Sequence, residues 1–390
     1  MPEHDPLKFV TGLGAKLATR SRHVCALLGA GTARACGLPD VAQLQERVLG
    51  DLKGNDKKML SQQLVGRNLE QALTRLRRIT ALLTGEKTLD DLTAAQAKEL
   101  DVKVCQAIVK ALDIQAADLT PAKYFAAWVA RTSYHLPLEL FTVNYDLLLE
   151  TALEHLRVPY FDGFVGYLRA RFQTELVEAV PEADKECVPA FFVRLWKLHG
   201  SVNWKREQDE QIVRLGQPVA TGDAAAIYPS DTKYEESRRV PFVVLQDRLR
   251  RALHLPETLV VVSGYSFSDD HLNEMLFDAA TRRARSEIIA FCHSDIPEKL
   301  AQRAAATPNL QVVSDNEAIL GGIRAKWKVP KEAPPDLWTD GKFTLCDFKN
   351  LAKFLARSGT REPEDDAVLG ELLAKVIGKN SQAKGGDGNG

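Results

Sequence analysis

Short, mostly apolar runs punctuate a chain whose spacing is otherwise helical. Runs of strand length occupy residues 23–28, 138–143, 193–198, 258–263, 287–292 and 309–313, the fourth being the richest in β-branched residues. Helical spacing follows at 147–156, 242–253 and 271–285, and Leu7, Phe9, Val10, Leu13 and Leu17 predict an amphipathic helix ahead of the first strand. After the run at 23–28 come a short helix over 33–36 and its stop, Gly37-Leu38-Pro39-Asp40. Strands alternating with helices of this length predict an α/β fold built on a doubly wound parallel sheet.

Two stretches break the alternation. From 41 to 131 Leu, Ala, Lys, Gln and Glu dominate, with apolar residues such as Leu69, Leu73, Leu76 and Ile79 three or four apart. No strand interrupts this stretch, which predicts a helical insertion. Residues 205–236 are polar and irregular, with a loop at Tyr228-Pro229-Ser230-Asp231. Near the end, 326–338 is rich in Pro and Lys and reads as a connector, and helices are expected at 348–355 and 367–377. Residues 379–390 lack large apolar side chains and read as a disordered tail. The expected organisation is a nucleotide-binding unit over 1–325 that carries the 41–131 insertion, a helical segment over 326–378, and the tail.

Composition narrows the function classes. With 390 residues, 45% of them apolar, the chain can bury a sizeable core. A net charge of −1 with both signs interspersed gives no electrostatic case for nucleic acid or an anionic membrane. The six cysteines, Cys25, Cys36, Cys105, Cys187, Cys292 and Cys346, form no C-x-x-C pair and read as reduced core residues of a cytoplasmic protein. The acidic N-terminus lacks a following apolar region and no apolar run reaches about 18 residues, so neither secretion nor membrane spanning is expected.

Polar or small residues follow four of the apolar runs at once: Gly29-Ala30-Gly31-Thr32, Asn144-Tyr145-Asp146, His199-Gly200 and Gly264-Tyr265-Ser266. In a doubly wound sheet the carboxyl ends of the strands share one edge, where ligands bind, so the four converge on one predicted site. Glycines in a strand-to-helix turn let the backbone approach a pyrophosphate, and the helix N-terminus favours its charge. Each cluster also has a plain structural reading. Asn144 and Asp146 can make a turn and a helix cap, and His199 can be a core histidine bonded to a carbonyl. Ser268, Asp269 and Asp270 can cap the helix after them. A G-x-G-x-x-G fingerprint would need glycine where Arg34 stands, which disfavours hydride transfer, and Ser268 occupies the second glycine of a nucleophile elbow.

Taken in order, Gly29-Ala30-Gly31-Thr32, Gly37-Leu38-Pro39-Asp40, Thr142-Val143-Asn144-Tyr145-Asp146, Leu198-His199-Gly200 and Gly264-Tyr265-Ser266-Phe267-Ser268-Asp269 resemble the sirtuin-like (silent information regulator two) superfamily. The resemblance spans about 20–325 and is narrower to bacterial sirtuin-like effectors of anti-phage defence. It implies a Rossmann-like fold and an enzyme that cleaves NAD+, its substrate, to nicotinamide and ADP-ribose. By the same resemblance Asn144 and His199 are catalytic. Gly29, Ala30, Gly31 and Thr32 meet the pyrophosphate, Gly264 and Ser266 the adenosine side, and Asp40 and Asp146 the nicotinamide half. The four-cysteine zinc module of deacylases is missing and Val41-Ala42 replaces their Phe-Arg, so no metal is expected and acyl-lysine chemistry is a lesser alternative. A non-catalytic module that binds NAD or ADP-ribose is another. The family also implies a homo-oligomer and, in one arrangement, a HerA-type hexameric ATPase partner. The chain has no G-x-x-x-x-G-K-[ST] loop of its own, which is compatible with that arrangement.

Overall fold

The computed structural model describes residues 3–179, 188–189, 191–207, 211–220, 225–227, 240–282 and 286–358. The loop expected at 228–231, the helix at 367–377, the tail at 379–390 and Cys187 lie outside the described residues. A ten-stranded sheet organises the molecule. In chain order its strands are β1 (Glu3–His4), β2 (Val24–Leu28), β3 (Glu139–Thr142), β4 (Tyr160–Phe161), β5 (Val193–Lys197), β6 (Leu259–Ser263), β7 (Glu287–Phe291), β8 (Leu310–Val313), β9 (Glu317–Leu320) and β10 (Ile323–Trp327).

In space they run β1-β10-β9-β8-β7-β6-β2-β3-β5-β4, and β8 through β4 are all parallel. Within this set β5, β3, β2, β6, β7 and β8 follow the 3-2-1-4-5-6 order of a Rossmann-type sheet. The fold is α/β with a large, mostly parallel central sheet, as the alternation of apolar runs and helices predicts. The six strands expected from the sequence are β2, β3, β5, β6, β7 and β8. They were legible because each is largely buried on both faces and therefore reads as a mostly apolar run, although β3 and β5 also carry the buried Glu139, Arg194 and Lys197.

Alternate residues of the strands supply two cores. Val24, Ala26, Leu28, Leu140, Leu195 and Val261 face the helices Pro6–Ala18, Thr120–Arg131 and Phe348–Arg357. Leu27, Phe141, Trp196, Val260 and Val262 face Phe242–Leu253, Asp270–Arg282 and Glu298–Ala306. The stretch expected to be a helical insertion divides. Val41–Asp51, Gly54–Gln63, Leu69–Leu82 and Ala94–Ala111 close a third core around Leu73, Leu76, Val104 and Ile108. Thr120–Arg131 instead sends Phe125 and Trp128 into the core of the sheet and packs on Phe348–Arg357. Helical spacing alone cannot tell which core a helix joins.

Two features differ from the sequence reading. Residues 205–236 contribute to an antiparallel five-stranded sheet ordered Ala225–Ile227, Gly200–Arg206, Ile212–Arg214, Ala170–Phe172, Phe164–Val165. Most of these strands have only two or three residues, too few to show periodicity. The expected connector at 326–338 begins inside β10, where Lys326 and Trp327 pair with Glu3 and His4. Exposed Arg324 and Lys326 give this strand near the sheet edge a polar look.

Candidate active site

The chain crosses the sheet after β5 and returns beside β2 as β6, so β2 and β6 are neighbours whose following helices diverge. Ligands bind at such a switch point, at the carboxyl ends of the strands. Here the turns after β2 and β6 interlock. The Gly29 N–H donates to the Ser263 carbonyl at 3.0 Å, and the Gly31 N–H donates to the Gly264 carbonyl at 2.9 Å. A Cβ on Gly29 would lie 2.5 Å from the Gly264 oxygen, one on Gly31 2.6 Å from the Gly264 Cα, and one on Gly264 2.5 Å from the Thr32 nitrogen. Gly264 also has φ +65°, a left-handed conformation that favours glycine. Close backbone contact between two strand-end turns is thus a sufficient reason for all three glycines.

This packing changes what the first turn offers a phosphate. The Gly29 and Gly31 N–H groups are occupied, and the Thr32 N–H and hydroxyl both donate to the Gly29 carbonyl, at 2.9 and 2.8 Å. Among the described residues the Ala30 N–H is the one of the four left without an acceptor.

The triplet after β3 sends its side chains three ways. Asn144 Nδ2 donates to the Gly29 carbonyl at 3.1 Å and the Thr32 hydroxyl at 3.0 Å, binding this strand end to the glycine turn. Tyr145 is buried in the core of the inserted helices and its hydroxyl donates to Glu70 Oε1 at 2.8 Å. Burial, with Glu70 beside it, pushes that phenol well above its ordinary value. Asp146 is buried and accepts from the Leu148 N–H at 3.0 Å, at the start of Leu148–His155. Burial raises the Asp146 carboxyl, partly offset by the charge of Lys197, which donates to the Asp146 backbone oxygen. Asp146 is therefore placed at the helix start, as the plain reading of the sequence had it, while also facing the crevice.

His199 lies between the two sheets, after β5 and before Gly200–Arg206, and is 6% exposed. Its Nε2 is 3.3 Å from Asp269 Oδ2, within ion-pair distance, and has no aligned hydrogen-bond partner among the described residues. Asp269 also accepts from the His271 and Leu272 N–H groups, at 2.9 and 3.2 Å. Burial would raise its carboxyl, but His199 and those two N–H groups hold it below the ordinary carboxylate value. Asp269 both caps a helix and faces the histidine; the sequence reading found only the cap.

These groups line two adjoining spaces. One, of about 430 Å³, is bounded by Ala30, Gly31, His199, Gly264, Ser266 and Asp269, among others. The other, of about 70 Å³, is bounded by Asn144, Asp146, Ala33, Leu44, Leu73 and Ile108, among others. Asp40, which caps Val41–Asp51, lines both, as do Ala30 and Glu70. Thr32 lines neither and acts through its hydrogen bonds to Gly29 and Asn144. Ser266 and Ser268 hydrogen-bond to each other at 2.8 Å in an exposed position. The larger space also takes in Cys292, His293, Ser294 and Asp295 after β7, which the sequence reading missed although they too follow an apolar run. Among the described residues neither lining contains Lys or Arg.

Among the described residues one group, His23, Cys25 and Glu139, brings three metal-ligating side chains together. It lies at the opposite edge of the sheet, and the lone pairs of its carboxylate are taken. Glu139 accepts from His23 Nε2 at 3.1 Å, Trp196 Nε1 at 2.7 Å, and Arg248 Nε and Nη2 at 2.7 and 2.6 Å. With a guanidinium on the carboxylate, this is a buried ion network rather than a metal centre.

Residues 138–313 match the family model of the SIR2-like domain. SIR2-like domains bind NAD+, and the matched stretch contains Asn144, His199, Gly264 and Asp269. No curated protein matches the chain.

Proposed function

We propose that this protein is an NAD+ glycohydrolase. The observation that carries the reading is the crevice at the β2/β6 switch point, which has Asn144 on one side and the His199–Asp269 pair on the other. The SIR2-like match, which takes in β3 to β8 but not β2, supports NAD+ as its ligand.

Cleavage breaks the bond between ribose C1′ and the pyridinium nitrogen. The electron pair goes to nicotinamide, which leaves neutral and needs no strong general acid. The enzyme must orient the ribose and stabilise an oxocarbenium-like transition state. Asn144, held rigid by Gly29 and Thr32, keeps its amide oxygen for the ribose or the attacking water. Water adds to C1′ and passes a proton to His199, whose imidazolium is stabilised by the Asp269 carboxylate. The products are nicotinamide, ADP-ribose and one proton. Asp40 and Asp146 lie on the nicotinamide side. Ala30, Gly264 and Ser266 lie on the phosphate and adenosine side, with Gly29, Gly31 and Thr32 supporting the turn.

By its resemblance to anti-phage effectors, the protein acts in bacterial defence by depleting NAD+ in the cytoplasm. It does so as a homo-oligomer and in one arrangement beside a HerA-type ATPase. No helix among the described residues is long and apolar enough to cross a membrane. The test is to incubate the purified protein with NAD+, alone and with such an ATPase, and to quantify nicotinamide and ADP-ribose. Release of both that is abolished in His199→Ala and Asn144→Ala supports the reading. Binding without release under every condition would instead identify a sensor, and release dependent on an acyl-lysine peptide a deacylase.

A further inference from the structure

The inserted helices reach the crevice through one charged side chain. Glu70 is the second residue of Leu69–Leu82 and lines both spaces, together with Asp40. Asp40 has a cation near it, Arg34 Nη1 at 3.5 Å. Glu70 has none within ion-pair distance among the described residues, and its one side-chain partner there is the Tyr145 hydroxyl at 2.8 Å. Its charge is felt across the crevice: burial raises the phenols of Tyr145 and Tyr265, and Glu70 adds to the rise of both. The smaller space also takes in Asp40, with Arg34 near it, and Asp146, on which the charge of Lys197 acts, and is otherwise walled mainly by aliphatic side chains, including Ala33, Leu44, Leu73 and Ile108.

An aliphatic slot faced by a carboxylate with no cation of its own suits a flat, positively charged ring. We propose that Glu70 is a specificity-determining residue. It selects the cationic pyridinium of the oxidised dinucleotide over the uncharged dihydropyridine of the reduced form and over free neutral nicotinamide. The inference rests on the glycohydrolase reading and extends it. The product ring loses its charge when the glycosidic bond breaks, so the same carboxylate favours substrate entry and does not retain the product. Tyr145 acts as a positioning residue here, fixing the carboxylate through its hydroxyl.

The experiment measures dissociation constants by calorimetry for four probes: NAD+, NADH, 1-methylnicotinamide and nicotinamide. Wild type, Glu70→Gln and Tyr145→Phe are compared. Glu70→Gln keeps an oxygen to accept from Tyr145 and loses only the charge. Wild type is expected to prefer the charged member of each pair by about tenfold or more, and Glu70→Gln to lose most of that preference. Tyr145→Phe should keep the preference while binding all four probes more weakly. Equal preferences in wild type and Glu70→Gln, or a wild type that binds no probe, would overturn the inference. Nicotinamide release is followed in parallel. Its absence in a wild type that still prefers the charged rings overturns the glycohydrolase reading and leaves the assignment of Glu70 standing.

Discussion

His199 and Asp269 are the residues on which turnover should depend most directly, and they should fail in different ways. Losing the base removes the acceptor of the proton from water, an effect of roughly 10²–10⁴ in rate. His199→Ala should therefore lower kcat by about that factor with KM little changed, and added imidazole should restore part of the loss. Asp269→Asn keeps a helix-capping oxygen for the His271 and Leu272 N–H groups and removes the charge that faces the histidine. It should also lower kcat with KM nearly constant, but imidazole should not rescue it. If both variants turned over NAD+ at the wild-type rate in a nicotinamide-release assay, the pair would not be catalytic. Asn144 and His199 were legible because each is a polar residue placed directly after an apolar run. Asp269 was legible only as a cap, since its second role depends on a contact between residues seventy positions apart in the chain. Glu70 carried no signal at all, because a glutamate in the first turn of a helix is ordinary.

At the scale of elements, the interlocked turns after β2 and β6 decide whether the site forms. A methyl group at Gly264 would meet the Thr32 nitrogen at 2.5 Å and would have to adopt φ +65°, a conformation costing an L-residue about 1–2 kcal/mol before any clash is counted. Backbone lies on both sides, so the clash cannot be relieved by turning a side chain. Gly264→Ala is expected to lower Tm by several degrees and to weaken NAD+ binding. By contrast Gly50→Ala, where the added carbon meets nothing within 4 Å and the residue lies in the helix Val41–Asp51, should leave NAD+ binding unchanged and raise Tm slightly. Circular dichroism melts and calorimetry on the two variants check this. A Gly264→Ala protein as stable as wild type would show that the turns can separate. The sequence suggested these glycines for approach to phosphate; their packing on one another is invisible until β2 and β6 are known to be neighbours. The same limit explains the small antiparallel sheet around Gly200–Arg206. Its pairing partners come from distant segments, and its strands are too short to show a period.

For the molecule as a whole, stability should be governed from the edge opposite the crevice. Glu139 is 1% exposed and ties together β3, β5 through Trp196, the residue before β2 through His23, and the helix Phe242–Leu253 through Arg248. The sequence hid this network because His23 and Glu139 stand at or near the starts of apolar runs, where a polar residue reads as a boundary. Burial would raise the Glu139 carboxyl, but Arg248 and His23 hold it down at about 2. Burial would lower His23, yet Cys25 and Glu139 raise it to about 10. The Cys25 thiol is itself pushed up by burial, so the Glu139 carboxylate is the partner that acts at neutral pH. The signs follow from linkage. A depressed carboxyl stabilises the fold above its unfolded value and is lost as pH falls toward 2. A raised histidine stabilises it below the ordinary value of 6.5 and is lost as pH climbs through about 10. Tm should therefore decline between pH 6.5 and 10, and that slope should flatten in His23→Gln, which has no charge to lose. Removing the shared carboxylate in Glu139→Ala leaves Arg248 and His23 buried without it, a loss of about 3–5 kcal/mol and a Tm drop on the order of 5–10 °C. Because this network lies at the amino ends of the strands, Glu139→Ala should still release nicotinamide at low temperature. A variant that kept its fold there but lost turnover would mean that the two edges of the sheet are coupled.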